Sequence, residues 1–417
     1  MAVLNYIQVF EHSFLPIEGA FEVRHFKALS ILNAKHNDKY FKVRHNGILF
    51  KQYVGVIQID GLTIEILPKI DNDKKDEAAW QGALLGMLKV THKLKVQNLE
   101  EASVKKQQLY LLDLFFESYL TEVQLLIHQG LIKQYYKETG NVKALKGKLE
   151  FAGHLSKNLV HKERFYTTHQ VYDRDHLIHR VLAQALDIIS NLTKGSYLHS
   201  KCKTTQLDFP DVRCIKANEN TFSKLPKNRK TSPYETALSL ARLIILNYAP
   251  DVSSGSEKML ALLFDMNSLW EQYVLARLKQ VSCHGIKIYG QDSKGFWNGI
   301  SIRPDIVIEK DEERIVIDTK WKNIDHANPS TNDLRQMYVY NDYWNAGKAV
   351  LLYPSNTNAI ANFKAFEPVT FQAFTEDNAF TYNRLQHECG VGRISIFKEG
   401  TVVLDEGIGD RILEWLF

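Results

Sequence analysis

The stretch that decides the fold of this chain is Ile300-Ser301-Ile302-Arg303-Pro304-Asp305-Ile306-Val307-Ile308-Glu309-Lys310-Asp311-Glu312-Glu313-Arg314-Ile315-Val316-Ile317-Asp318-Thr319-Lys320. Two runs of β-branched residues flank a polar segment, and this pattern predicts an antiparallel hairpin. With the turn centred in the polar segment, Asp305 lies directly opposite Asp318, and opposed residues share one face of the sheet. Lys320, two residues beyond Asp318, points the same way if the strand continues.

This arrangement of charges predicts a metal site. Two carboxylates held together repel each other, and each has a raised pKa unless a cation lies between them. Oxygen ligands select Mg²⁺ or Mn²⁺ rather than zinc. Such a cation lowers the pKa of water and neutralises charge on a phosphate, while the Lys320 ammonium stabilises the developing negative charge. The residues therefore predict phosphodiester cleavage.

The residues around the hairpin extend the prediction to a mixed α/β domain. A long helix is expected over about 256–281, ahead of the hairpin, and a second from Thr331 to Asn345. A further apolar strand follows at Ala349–Tyr353. The order helix, strand, strand, helix, strand is typical of a mixed sheet covered by helices.

The motif Pro304-Asp305, followed by Asp318-Thr319-Lys320, resembles the PD-(D/E)xK nuclease core. Gln336 and Tyr340, one helical turn apart, are similar to the pair that supports the site in the RecB-type branch, and Glu271 matches a helix glutamate that many of these nucleases add to the metal shell. The resemblance implies that the catalytic residues are Asp305, Asp318, Lys320, Gln336 and Tyr340, and that the metal ligands are Asp305, Asp318, Thr319 and Glu271.

The N-terminal part is predicted to be rich in β-structure. Residues 40–70 contain β-rich runs separated by Asn46-Gly47 and Asp60-Gly61, which favour hairpin turns. The charged segment Asp71–Glu77 reads as a linker into helices at about 78–97 and 106–135, and later helices are expected after Asp175 and at about 234–248. The fold class is multidomain α+β. Its predicted parts are an N-terminal β-rich module (1–75), a mainly helical middle region with a small β insertion (76–250) and a C-terminal restriction-endonuclease-like domain (251–417).

Over most of its length the chain resembles the McrC family, the nuclease subunit of McrBC-type restriction systems. The resemblance rests on Val54–Ile70, on Leu145–Leu149 with Asp173–Arg180, and on Asp265–Lys322. It implies a DNA endonuclease active in antiviral defence that works with an AAA+ GTPase of McrB type and cuts double-stranded DNA. The N-terminal module would engage and stimulate the partner, and the partner, not this chain, would bind GTP.

Other features of the sequence restrict the range of possible functions. The Gly-containing segment 140–149 has the wrong spacing for a nucleotide-binding loop. Neither a signal peptide nor an apolar stretch long enough to span a bilayer is recognised, so we expect a cytoplasmic protein without membrane contact. The four cysteines are scattered and suggest neither disulfides nor zinc. His176 and His179 lie three residues apart on a predicted helix, and without a carboxylate at metal-ligand geometry we expect them to be solvated. Basic runs at 133–164 and 224–230 are read equally well as a phosphate-binding surface or as a solvated one.

Two alternatives stay open. In the first, the chain is an adaptor with a decayed nuclease core that only activates a partner NTPase; the intact Asp305, Asp318 and Lys320 argue against it. In the second, the chain is a free-standing DNA repair nuclease, for which the N-terminal hairpins would be unnecessary.

Overall fold

The computed structural model of the chain describes residues 5–69, 77–91, 110–249, 259–281, 285–311, 313–322, 329–355, 358–367, 370–375, 378–383 and 387–417. Two compact units share the chain. The helical unit consists mainly of Gln97–Pro250, together with Lys258–Leu262. The sheet unit joins Leu4–Val96 to Leu263–Phe417, so the N-terminal strands and the C-terminal core belong to one body.

The N-terminal strands of the sheet unit lie in two sheets. Strand β1 pairs in parallel with β6, and β6 pairs with β5 in an antiparallel hairpin, while β2, β4 and β3 form a separate three-stranded sheet. The Asp60-Gly61 turn is confirmed, because both residues have positive φ and Ile59 pairs with Leu62. The bounds of these elements are β1 Asn5–Phe10, β2 Phe14–Pro16, α1 Val23–Lys35, β3 Phe41–Arg44, β4 Gly47–Phe50, β5 Tyr53–Ile59, β6 Leu62–Leu67 and α2 Glu77–Val90.

The helical unit has a core of long amphipathic helices and a three-stranded sheet. Apolar residues at helical spacing bury one face of each long helix, and the Tyr119 hydroxyl donates to the Leu182 carbonyl at 2.7 Å. The small sheet has the order β7-β9-β8. The bounds are α3 Leu111–Gln129, β7 Gln134–Val142, β8 Lys148–Leu149, α4 Phe151–Asn158, β9 Phe165–Asp173, α5 Leu177–Leu192, α6 Tyr197–Asp208, α7 Glu219–Ser223, a 3-10 turn Ser232–Tyr234, α8 Glu235–Leu246 and β10 Tyr248–Ala249.

The C-terminal part of the chain forms a six-stranded mixed sheet in the order β12-β15-β16-β17-β21-β18. Its central pairs, β16 with β17 and β17 with β21, are parallel, and the outer pairs are antiparallel. The bounds are β11 Met259–Asp265, α9 Met266–Gln280, β12 Ile286–Gly290, β13 Lys294–Trp297, β14 Ile300–Ile302, β15 Ile306–Lys310, β16 Glu313–Thr319, α10 Thr331–Trp344, β17 Lys348–Ser355, β18 Ala359–Ala365, β19 Thr370–Thr375, β20 Asn378–Asn383, β21 Glu388–Ser395 and α11 Ile408–Leu416.

Helix α10 covers one face of this sheet. Its Met337, Tyr340 and Trp344 side chains are buried together with Val316 of β16 and Leu351 of β17. Ser330 caps the helix by accepting a hydrogen bond from the Asp333 amide, and Asn345 ends it in the left-handed conformation. The helix is therefore fixed at both ends, and this fixes the side chains that it presents to β16.

Three predicted elements differ from the structure. The helix expected over 256–281 is wrong in its first part, because Met259–Asp265 is a strand; this run is almost continuously apolar and suits a buried strand, while Asp265 caps the helix that follows. The helix expected over 106–135 ends at Gln129, where Gly130 stops it. The turn expected at Asn46-Gly47 lies at His45-Asn46. The linker after residue 70 and the chain at 92–109 lie outside the described residues.

Candidate active site

The hairpin of β15 and β16 brings the two aspartates together. Its pairs run from Ile306 opposite Ile317 to Lys310 opposite Glu313, which confirms the predicted register. Asp305 directly precedes Ile306 of β15, and Asp318 directly follows Ile317 of β16, so both aspartates lie next to the first of these pairs. The Asp305 Oδ2 accepts hydrogen bonds from the Thr319 amide at 2.7 Å and from the Thr319 hydroxyl at 2.8 Å. The start of one strand is thereby bound to the end of the other.

Asp318 and Lys320 form a buried ion pair. Asp318 is only 2% exposed, and its Oδ2 lies 2.6 Å from the Lys320 Nζ. Burial and the neighbouring Asp305 raise the pKa of Asp318, Lys320 opposes both effects, and the resulting pKa is about 6. Burial alone would lower the pKa of Lys320, but the Asp318 carboxylate raises it above its ordinary value. The lysine is therefore charged at neutral pH.

Gln336 and Tyr340 of α10 complete a hydrogen-bonded chain around this pair. The Gln336 amide nitrogen donates to the Asp318 Oδ1 at 3.3 Å and to the Tyr340 hydroxyl at 2.8 Å. The Gln336 amide oxygen accepts from the Lys320 Nζ at 3.3 Å. The Tyr340 hydroxyl donates to the Arg303 carbonyl at 2.9 Å. One turn of α10 thus holds the lysine, the buried carboxylate and the backbone that leads into Asp305.

Glu271 is placed differently from the two aspartates. Its Oε1 accepts a hydrogen bond from the Gln291 side chain at 2.6 Å, and the Gln291 amide donates to the Asp305 carbonyl at 2.9 Å. Over the described ranges, no three His, Cys, Asp or Glu side chains come close enough together to hold one metal ion. The metal-ligand roles of Glu271 and Thr319 stay predictions.

The donor set nevertheless fits a hard divalent cation. Asp305 and Asp318 supply carboxylate oxygens, which are the ligand type that Mg²⁺ and Mn²⁺ prefer. The raised pKa of Asp318 shows that its negative charge is poorly compensated by Lys320 alone. A cation at this position would remove that deficit.

Sequence reasoning missed two contacts near the site. Asp333, in the first turn of α10, lies 4.0 Å from Lys320 and 2.9 Å from Lys322, measured between nitrogen and carboxylate oxygen. The spacing Ser330-x-x-Asp333 is typical of a capped helix start, and it is the sequence pattern that could have revealed the position of Asp333. Trp321, directly after Lys320, donates from Nε1 to the Glu11 Oε1 at 2.7 Å. No local pattern predicts a contact between residues so far apart in sequence.

Two histidines of the helical unit were expected to be solvated, and this is wrong. His176 and His179 are both buried, with ring centroids 4.0 Å apart. His179 also packs on Tyr234 and Phe209, and burial lowers its pKa to about 4. These rings are neutral members of a packed core.

Comparison of the sequence with known proteins identifies the family to which the chain is related. The model of the McrBC 5-methylcytosine restriction system component matches residues 48–354, which is more than half of the chain. A curated relative from Escherichia coli (strain K12), the type IV methyl-directed restriction enzyme EcoKMcrBC, is 22% identical over 237 residues. That alignment covers 52% of this chain and 66% of the relative, so the chain spans just under two thirds of the relative's length.

Two solved structures share the fold. One is a chain of the refined half-complex from the tetradecameric assembly of Thermococcus gammatolerans McrB AAA+ hexamers with bound McrC; it has a TM-score of 0.70 and 19% identity, and covers 99% of this chain and 100% of that chain. The other, from a cryo-EM structure of the Thermococcus gammatolerans McrBC complex, has a TM-score of 0.51 and 19% identity, and covers 66% of this chain and 88% of that chain. In the ranges that the structure describes, no helix has the length and apolar character needed to cross a membrane. On the strength of the match over residues 48–354, the chain belongs to the family of McrBC 5-methylcytosine restriction system components.

Proposed function

We propose that this chain is the nuclease subunit of a McrBC-type restriction system and that it hydrolyses phosphodiester bonds of double-stranded DNA in a metal-dependent reaction. The observation that carries the proposal is the register of β15 and β16, which sets Asp305 beside Asp318 with Lys320 paired to the latter. Carboxylates, a lysine and a supporting glutamine and tyrosine form the constellation that the PD-(D/E)xK resemblance implies. We assign the C-terminal part of the sheet unit to that nuclease class.

The chemistry follows from the charges of the site. Asp305 and Asp318 would hold Mg²⁺ or Mn²⁺, with the Thr319 carbonyl beside them. When bound, such a cation polarises a phosphoryl oxygen and lowers the pKa of nearby water. Lys320, held in place by the Gln336 amide oxygen, presents an ammonium group to the negative charge that develops on the phosphate. Gln336 and Tyr340 keep that ammonium and the Asp318 carboxylate in one geometry.

The partner in this proposal is an AAA+ GTPase of McrB type. The structure with a TM-score of 0.70 comes from an assembly of McrB hexamers with bound McrC, and the present chain matches the full length of that chain. Since no nucleotide-binding loop is recognised in the sequence, GTP would be bound and hydrolysed by the partner. Cleavage would then require the complex, and the chain would in turn stimulate the GTPase. The role of residues 1–75 in engaging the partner stays a prediction.

The test is Asp318→Ala in the complex reconstituted with the GTPase. Because the variant loses a carboxylate and leaves Lys320 without its ion-pair partner, we expect DNA cleavage with Mg²⁺ to fall by roughly a thousandfold or more. Stimulation of GTP hydrolysis should stay at the wild-type level. Glu399→Ala, which removes an exposed carboxylate of the same unit, is the matched control and should change neither activity.

The alternatives give different results. A variant that still cuts would show that the site is elsewhere. A wild-type complex that stimulates GTP hydrolysis but never cuts would identify an adaptor. Efficient cutting by the purified chain with Mg²⁺ alone, unchanged by the GTPase, would identify a free-standing nuclease.

A further inference from the structure

A small hairpin beside the candidate active site exposes large apolar side chains. Among the described strands, β13 and β14 pair only with each other. They are joined by Asn298 and Gly299, which both have positive φ as a tight hairpin turn requires. Trp297 at the tip is 67% exposed and Ile300 opposite it is 54% exposed. Four of the six tryptophans are buried, and Trp297 is the most exposed of all. Exposed clusters of this kind mark binding surfaces.

The base of the hairpin is fixed to the end of α10. The Lys294 Nζ donates to the Tyr343 carbonyl at 2.8 Å and lies 4.8 Å from the centre of the Trp344 ring. The Phe296 ring packs against Tyr343, with ring centroids 5.5 Å apart. A two-stranded hairpin is marginally stable alone, so these contacts explain why it stays formed. They hold its base, and no residue in the described ranges makes a ring or hydrogen-bond contact with the Trp297 side chain at the tip.

The hairpin leads directly into the site. Arg303 follows β14, and because two residues span at most about 7 Å, its Cα lies within roughly that distance of the Asp305 Cα. Its carbonyl is held by Tyr340, while its side chain is exposed. An arginine suits a phosphate because its planar guanidinium donates two parallel hydrogen bonds. Between Gly285 and Arg303, the basic residues are Lys287, Lys294 and Arg303, and the one acid, Asp292, is bound by the Trp344 indole.

We propose that the β13–β14 hairpin is a DNA-binding element of this nuclease, with Arg303 on a phosphate next to the cleaved one and Trp297 on the bases or sugars of the same duplex. The inference rests on the proposed function, since DNA that is cut at the site would pass next to this hairpin. Exposed aromatic residues of nucleic-acid-binding proteins stack on bases or wedge between them, and a neighbouring cation binds the backbone. Continuity with the active site and the basic charge favour DNA over a protein partner.

Kinetics of the reconstituted complex test the inference. We expect Trp297→Ala to raise the KM for DNA cleavage about tenfold with little change in kcat, as loss of one stacking contact predicts. Arg303→Ala should also raise KM and should lower the slope of log KM against log salt by about one, the value for one lost phosphate contact. Trp297→Phe should restore most of the affinity. Val403→Ala, at a similarly exposed apolar residue of the same unit, is the control.

Photo-crosslinking separates this inference from the proposed function. With p-azidophenylalanine in place of Trp297, a fluorescein-labelled duplex that contains 5-methylcytosine should crosslink to the chain within the complex, and the same replacement of Val403 should give no crosslink. A crosslink to the GTPase subunit, or an unchanged KM for Trp297→Ala, would overturn the inference while leaving the nuclease assignment intact. Failure of the wild-type complex to cut would overturn the nuclease assignment, and the crosslink would still decide whether the hairpin meets DNA.

Discussion

The Asp318 carboxyl is held in an electrostatically unfavourable state. It is almost fully buried, it faces a second carboxylate, and one lysine provides its only close positive charge among the described residues. Burial of a charge costs free energy unless the charge is compensated. Without a bound cation, the folded protein is therefore destabilised at this residue, and a cation bound by Asp318 would remove this destabilisation. Active sites frequently show this property.

This cost predicts how stability depends on pH. The folded pKa of Asp318 is raised to about 6, so in the absence of a metal the folded chain binds this proton more tightly than the unfolded chain does. Between about pH 4 and pH 6, the Asp318 contribution to the free energy of unfolding therefore falls as pH rises. Asp318→Asn removes this dependence, and we expect the variant to be more stable than wild type at pH 7 by on the order of 2 kcal/mol.

Urea unfolding in EDTA, at several pH values, measures the difference. The excess stability of Asp318→Asn should shrink as the pH falls toward about 4, the ordinary value of an aspartate. Glu11, whose pKa burial raises to about 7, titrates in a neighbouring range but is common to both proteins and cancels. A difference in stability that is the same at every pH would contradict the buried charge.

Local sequence patterns were enough to predict the part of the candidate site that is formed by residues close together in the sequence. Polar turn residues between β-branched runs set the hairpin register, so the positions of Asp305, Asp318 and Lys320 could be derived. The burial of His176 and His179 could not be derived from the sequence, because their hydrogen-bond partners Ile132 and Tyr234 are distant in sequence. Residue type alone does not reveal whether a histidine on a helix meets water or a neighbouring ring.

Strand β1 and the chain after β16 are joined by one buried carboxylate. The Glu11 Oε1 accepts from the Lys69 amide at 3.0 Å as well as from the Trp321 indole at 2.7 Å. Trp321 in turn packs edge-on against Trp270 of α9, with ring centroids 5.7 Å apart. Since Trp321 directly follows Lys320, the N-terminal strands help to fix the backbone of the candidate active site.

A double-mutant cycle of Glu11→Ala and Trp321→Phe tests this link. Each single variant removes one partner of the buried hydrogen bond, so we expect a coupling energy of about 1 kcal/mol in urea unfolding. Each should also lower kcat for DNA cleavage, because the strand that carries Lys320 loses its anchor. Glu399→Ala, which removes an exposed carboxylate of the same unit, is the control. Additive effects would show that the two side chains act independently.

Elements were predicted best where periodicity is strong. The apolar stripes of α3 and α5 show helices clearly, although their ends shift by a few residues. The run Met259–Phe264 has no hydrophobic periodicity. It can be assigned as a strand only from its burial in a sheet, and the sequence alone does not reveal that burial. The parallel pairing of β1 with β6 was not predicted for the same reason, since no turn joins them.

The proposed metal site lies in one of the two units, because Asp305, Asp318 and Lys320 all belong to the sheet unit. A cation bound there stabilises that unit by mass action, by about 2.7 kcal/mol at a concentration one hundred times its Kd. We therefore expect Mg²⁺ to slow hydrogen exchange of the amides in β15, β16 and β17. Amides of α3 and α5 in the helical unit should exchange at an unchanged rate.

Hydrogen exchange followed by mass spectrometry, with and without Mg²⁺, gives the measurement. The protection should be absent in Asp318→Asn, and in wild type it should weaken below about pH 6 because the carboxylate must lose its proton to bind a cation. Equal protection in the variant, or protection confined to the helical unit, would place the cation somewhere else.

The hydrogen bond between Glu11 and Trp321 also has a consequence for the synthesis of the protein. Glu11 leaves the ribosome 310 residues before Trp321. At roughly 5–20 residues per second, the N-terminal strands wait on the order of 15–60 s for this partner. The proposed nuclease centre therefore cannot be completed on a nascent chain until most of the protein has been translated. In our proposal, a product of translation interrupted before Trp321 would therefore carry no cutting activity.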